Sequence, residues 1–124
     1  MSDLEKKRCK PCEGGVEALN KAQATDLLKQ VDDNWQLNED ATEMQRVFKF
    51  GNYYETMAFV NGVAWVAHQE DHHPDLEVYY SRCVVRYHTH AINGLSENDF
   101  ICAAKVDGLL AERETQSMVC ELEL

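Results

Sequence analysis

The sequence predicts an α+β fold: a two-layer sandwich in which a four-stranded antiparallel sheet carries three helices on one face, in the order α-β-β-α-β-β-α. Three observations lead there. Apolar residues recur at helical spacing in three segments, β-prone segments come in two pairs separated by short polar turns, and a helix joins the two pairs. Two hairpins make an antiparallel sheet, and helices with one apolar side must bury it against a sheet face.

Residues 1–18 are polar, contain Pro11, Gly14 and Gly15, and show no period, so they read as a mobile arm. Asn20 then caps a first helix whose face is Ala24, Leu27, Leu28 and Val31. Residues 35–37 and 44–50 flank the polar turn of Asn38, Glu39, Asp40 and Ala41, as in a hairpin, although Arg46 falls on the face of Met44, Phe48 and Phe50. Asn52 and Glu55 resemble a capping box opening a second helix to about His68, along Tyr53, Met57, Val60, Ala64 and Ala67. Ala58, Phe59, Val63, Trp65 and Val66 are apolar too, so this helix is expected at the centre of the core.

Pro74 closes that segment, and Leu76, Val78 and Tyr80 alternate with Glu77 and Tyr79 as a third strand. After a turn at Ser81 and Arg82, a fourth strand places Cys83, Val85, Tyr87 and Thr89 on one face, with Val84, Arg86, His88 and His90 on the other. Ser96 caps a last helix to about Arg113 along Phe100, Ala103, Val106 and Leu110. The whole chain, 1–124, is expected as one domain with its core at about 19–113 and an acidic tail at 114–124. The second sheet face is partly apolar, which makes a partner subunit, and so a dimer, an expectation.

Twelve Lys and Arg against 22 Asp and Glu leave a net charge of −10, which repels nucleic-acid phosphates and anionic lipid. Apolar runs stop at five residues, as at 63–67, where a membrane helix needs about 20. Lys6, Lys7 and Arg8 are followed by no apolar stretch, so no signal peptide is expected and a cytoplasmic location is. Cys9, Cys12, Cys83, Cys102 and Cys120, an odd number without framework spacing, agree with a reducing compartment.

All five histidines, His68, His72, His73, His88 and His90, lie within residues 68–90. His72 and His73 stand among Glu70, Asp71 and Asp75 just past a helix end, and a hairpin between the last two strands returns His90 beside them. Imidazole gives or takes a proton near neutral pH, so such a group suits a reaction needing an acid and a base together, with the flanking carboxylates orienting the rings. Solvated surface histidines are the plainer reading of an adjacent pair, and a zinc or iron site made of three imidazoles and a carboxylate is another. Adjacent His72 and His73 point apart, and Pro74 crowds the His68 and His72 pair, so no metal is expected. Cys9-x-x-Cys12 is half a zinc ribbon or simply two free thiols. Asp99 sits where a capping acid belongs after Ser96, or orients His90.

His72-His73-Pro74, then Tyr80, Thr89-His90 and a segment from Gly94 to Asp99 together resemble the signature of the pterin-4a-carbinolamine dehydratases. The likeness extends to the element order, and the Cys-x-x-Cys arm resembles some bacterial members. His68 replaces a glutamate of many relatives and Leu76 a tryptophan of some. The resemblance implies dehydration of 4a-hydroxytetrahydrobiopterin to quinonoid dihydropterin, recycling the cofactor of aromatic amino-acid hydroxylases. It implies His72 and His90 as acid and base, His73 binding the pterin, Asp99 orienting a histidine, and Asp71, Pro74 and Thr89 bordering the pocket. It also implies a homodimer or homotetramer, an aromatic amino-acid hydroxylase as functional partner, and no metal or redox cofactor, since nothing is oxidised. The rival readings are a dimerisation-type interaction module, as in animal members, and a metalloprotein.

Overall fold

The computed structural model describes residues 3–10 and 17–123, with side chains described up to residue 110. Asn20 opens α2 (Lys21–Leu28) by a reciprocal capping box: its side chain accepts from Gln23 N at 2.8 Å while Gln23 accepts from Asn20 N at 2.9 Å. β1 (Gln36–Leu37) and β2 (Met44–Lys49) form the first hairpin, antiparallel. Its turn is held by Asn38, whose Oδ1 accepts from the backbone of Thr42 and Glu43, and Ala41 adopts a left-handed φ of 55°.

Asn52 caps α3 (Tyr53–Glu70), accepting from Glu55 N at 2.9 Å. β3 (Asp75–Val78) and β4 (Arg82–Tyr87) close the second hairpin through Tyr80 and Ser81. Arg82 therefore belongs to the strand and not to the turn. The sheet order is β1-β2-β4-β3, all antiparallel, so the two hairpins meet at their long strands β2 and β4. This is the expected α+β architecture with one helix more than expected.

The inner sheet face carries Met44, Phe48, Cys83, Val85 and Tyr87, all buried with Phe59, Val63 and Val66 of α3 and Phe100, Ala103 and Val106 of α4 (Glu97–Glu123). Arg46 does share that face, and the structure shows how it is tolerated. Its guanidinium donates to Asp107 at 2.7 Å, lies 3.5 Å from Asp32, and sits over the Phe48 ring. Trp35 Nε1 donates to the same Asp107 carboxylate at 2.8 Å, so one acid neutralises the misplaced cation and satisfies a buried indole.

Three expectations are corrected. α3 buries Thr56, Phe59, Val63, Val66 and Glu70, and its other side leaves Tyr54 83% and Trp65 59% exposed, so it lies at one edge of the core and not at its centre. Residues 3–10, expected within a mobile arm, are tied down: α1 (Asp3–Lys6) buries Leu4, and Lys105 Nζ donates to Glu5 O at 2.7 Å. α4 continues as backbone helix to Glu123, past the expected end at Arg113, through a segment rich in helix-forming residues. Pro11, Cys12, Gly14 and Gly15 of the expected arm lie outside the described residues.

Candidate functional site

The site is built where three chain reversals meet at one end of the sheet. At the end of α3 the chain reverses through Asp71, in the left-handed region at φ 50°, ψ 44°, where an aspartate is tolerated better than most residues. That reversal, with Pro74 barring a return to helix, throws His72 and His73 across the rim into β3. At the end of β4, Thr89 bridges Gly94, and a 3-10 turn (His90–Ile92) fills the loop between them. His90 thus opens a turn and does not end a strand, as had been expected. The third reversal is the start of α4.

Asp99 is the centre of the buried half. It is fully buried, and its two oxygens are all used: Oδ1 faces His72 Nε2 at 2.6 Å, while Oδ2 accepts from Thr89 Oγ1 at 2.8 Å and from Ser96 N at 3.0 Å. A carboxylate in its ionised form only accepts, and the partner it then requires is an imidazole that donates from Nε2. Asp99 is therefore both the helix-capping acid and the anchor of a histidine, the histidine being His72. The ring of His72 is further fixed by stacking near Tyr87, centroids 6.0 Å apart and planes 6° from parallel. Burial pushes the Tyr87 hydroxyl well above its usual range, and that hydroxyl has no hydrogen-bond partner among the described residues.

The other half is open. His73 and His90 are exposed and stack with centroids 6.3 Å apart; His88 meets His90 edge to face at 4.1 Å and lies 3.1 Å from Asp75 Oδ2 through its Nε2. His68, by contrast, packs on the exposed Trp65 ring. Thr89 is buried with its hydroxyl committed to Asp99 and Ser96, so it supports the carboxylate from behind. Asp71 and His72 line a cleft of about 500 Å³ whose far wall is Arg8, Cys9 and Lys10; His73 and His90 lie outside that lining.

Sequence reasoning missed that wall. Glu70 is buried, accepts from Cys9 N at 2.8 Å and pairs with Arg8 at 2.9 Å, while Asn98 Oδ1 accepts from Lys10 N at 3.0 Å. Cys9 Sγ lies 3.5 Å from Cys102 Sγ, and this contact together with burial raises the Cys102 thiol far above its usual range. No local pattern in a polar arm announces contacts with residues sixty to ninety positions away. For Tyr87 the sequence leaves two readings, a wall of a flat pocket or plain core packing; the structure buries it in the core with its ring against His72.

Among the described residues no helix is long and apolar enough to cross a membrane. In class, the chain is a two-layer α+β sandwich with a histidine rim organised around one buried carboxylate. The profile described as pterin 4 alpha carbinolamine dehydratase matches residues 17–109, and the chain belongs to that family. A Nitrosomonas eutropha protein named, provisionally, as a pterin-4-alpha-carbinolamine dehydratase is 64% identical over 110 residues, 89% of this chain and 96% of its own. The crystal structure of a transcriptional coactivator/pterin dehydratase from Brucella melitensis superposes with a TM-score of 0.70 at 29% identity, covering 75% of this chain and 98% of that one. A pterin dehydratase-like protein identified as a RuBisCO assembly factor in the alpha-carboxysome shares the fold, with a TM-score of 0.54 at 23% identity over 61% of this chain and 88% of its own.

Proposed function

We propose that the protein dehydrates 4a-hydroxytetrahydrobiopterin to quinonoid dihydropterin by histidine acid–base catalysis. The observation that carries this is the contrast of two imidazoles on one rim: His72, whose Nε2 is held on buried Asp99, and His90, exposed and stacked beside His73. In the reaction the C4a–O bond breaks and the hydroxyl leaves as water with a proton from an acid. A base takes the proton from N5, whose electron pair forms the C4a=N5 double bond. His72 and His90 supply the two functions and exchange them according to which face of C4a bears the hydroxyl. His73 binds or polarises the pterin, Asp99 is the positioning carboxylate, Asp71 and Pro74 border the ring, and Thr89 holds Asp99. Water is lost and no electrons are transferred, so no redox cofactor is needed.

This activity recycles the pterin of aromatic amino-acid hydroxylases, the expected functional partners, in the cytoplasm. The working assembly is a homodimer or homotetramer, a reading supported by the uncovered Tyr54 and Trp65 on α3. That same exposed side favours a second reading, an interaction module, whose signature is a protein partner retained by variants lacking His72 and His90. The test of the first reading is a stopped-flow assay with freshly generated 4a-hydroxytetrahydropterin. Quinonoid product is expected to form well above the spontaneous rate, and a rate equal to that of buffer alone rejects the proposal.

A further inference from the structure

Two donors on the rim, Asp75 and His88, have no task in the proposed dehydration, and they stand beside His90, which has one. Thr89 is buried, while the rings of its neighbours His88 and His90 meet edge to face with centroids 4.1 Å apart. Asp75 pairs with Arg86 across the β3–β4 ladder, which puts it one diagonal step from His88. Arg86 does not occupy Asp75: it donates to Gln45 at 3.0 Å and to Glu77 at 3.2 Å. The result is that one donor atom from each of Asp75, His88 and His90 lies within 4.8 Å of the other two.

These distances are compatible with a metal. Donors about 2.0–2.2 Å from a tetrahedral ion sit about 3.4 Å from one another. His88 Nε2 and Asp75 Oδ2, at 3.1 Å, already stand at that spacing. His90 needs to close from at most 4.8 Å to about 3.4 Å, a rotation open to an exposed side chain. Two imidazoles and one carboxylate form a borderline donor set that selects zinc and its late first-row neighbours over magnesium or calcium, and exposure leaves the fourth position to water.

We propose that Asp75, His88 and His90 form a three-ligand site for a divalent transition metal of the zinc type, and that its occupancy inhibits dehydration by withdrawing His90. A metal on the ring of His90 takes the nitrogen lone pair that a base must offer. The inhibition rests on the proposed dehydratase reading, whereas the binding does not.

The test is equilibrium dialysis of untagged full chain against zinc, with Co²⁺ as a spectroscopic substitute, on wild type, His88→Ala and Asp75→Asn. Loss of a partner one step outside a metal costs about 10- to 100-fold in affinity, so loss of a ligand is expected to cost at least about tenfold. The account expects one ion per chain, that weakening in both variants, and a Co²⁺ spectrum without a thiolate band, which separates the site from Cys9 and Cys12. Zinc is expected to inhibit wild-type dehydration at the midpoint of binding, while His88→Ala keeps full metal-free turnover and resists zinc. Equal zinc affinity in all three proteins, a thiolate band, or no binding at micromolar zinc overturns the site. Stoichiometric binding to an active enzyme whose rate is unchanged overturns the inhibition. A metal-free chain without activity counts against the dehydratase reading alone, since dialysis still reports the site.

Discussion

His72 and His90 stand at two ends of one rim, yet His72 is 12% exposed and clamped to a fully buried carboxylate, whereas His90 stands in solvent among other exposed rings. The buried half is organised before any ligand arrives, because both oxygens of Asp99 are already engaged, by His72 on one and by Thr89 and Ser96 on the other. Among the described residues the open half has contacts between rings and one polar anchor, His88 on Asp75, and its exposed side chains can turn. The difference teaches that identical residue types on one rim are coupled differently to the fold: changes in the buried half must disturb stability, and changes in the open half only chemistry or binding.

The sharpest way to break this comparison is to remove each imidazole. His72→Ala and His90→Ala are each expected to lower turnover by about 10²- to 10⁴-fold. Only His72→Ala should also destabilise the fold, by about 1–3 kcal/mol, because Asp99 loses one of its donors while keeping two. Chemical denaturation of the two variants checks this, and equal stabilities would erase the distinction.

A half-buried acid on the same helix provides the control. Asp107 holds Arg46 and Trp35 far from the rim, and burial raises its carboxyl above the usual range despite those partners. Asp107→Ala leaves the Arg46 guanidinium only the longer contact with Asp32 at 3.5 Å and strips the Trp35 indole of its acceptor, so a loss of about 3 kcal/mol is expected, with turnover per folded molecule unchanged. Denaturant melts alongside active-site titration measure both.

The buried region should also respond to alkali. Cys83 lies under the sheet, and burial raises its thiol from 9.0 to about 11. A group with a raised folded pKa contributes stability that is fully present below its unfolded value, here about pH 9, and is lost as pH rises through the folded value near 11. The two units amount to about 3 kcal/mol, and Cys83→Ala is expected to remove that part of the alkaline decline in a stability profile. The smallest effect expected is that of Thr89→Val, which takes one donor from Asp99 without touching the open half. It should cost about 1 kcal/mol in stability. It should also slow turnover by roughly tenfold while leaving KM near its wild-type value, the mark of a misplaced His72.

The features legible in the sequence were those written locally. The cap signals at Asn20 and Asn52, the two hairpins, and the inward line of Cys83, Val85, Tyr87 and Thr89 depend on neighbours a few positions apart, and each appears in the structure. The meeting of His73 with His90 needed only the topology of one hairpin. Long-range features were not legible. Helix α3 is apolar on nearly every side, so nothing in its own spacing says which side α4 and the sheet will cover. The docking of residues 3–10 rests on Glu70, Asn98 and Lys105, and the pairing of His72 with Asp99 depends on how the start of α4 meets the end of α3. Chain proximity suggests His90 as the imidazole beside Asp99, whereas in the structure Asp99 faces His72 and accepts from Ser96 N.

The most direct test of acid–base dehydration across this rim is a single-turnover stopped-flow comparison of wild type and His90→Ala at equal concentrations of folded protein. The account predicts rapid formation of quinonoid pterin by wild type and a loss of about 10²-fold or more in the variant, whose melting temperature stays unchanged. Equal rates in the two proteins, with both folded, would contradict it.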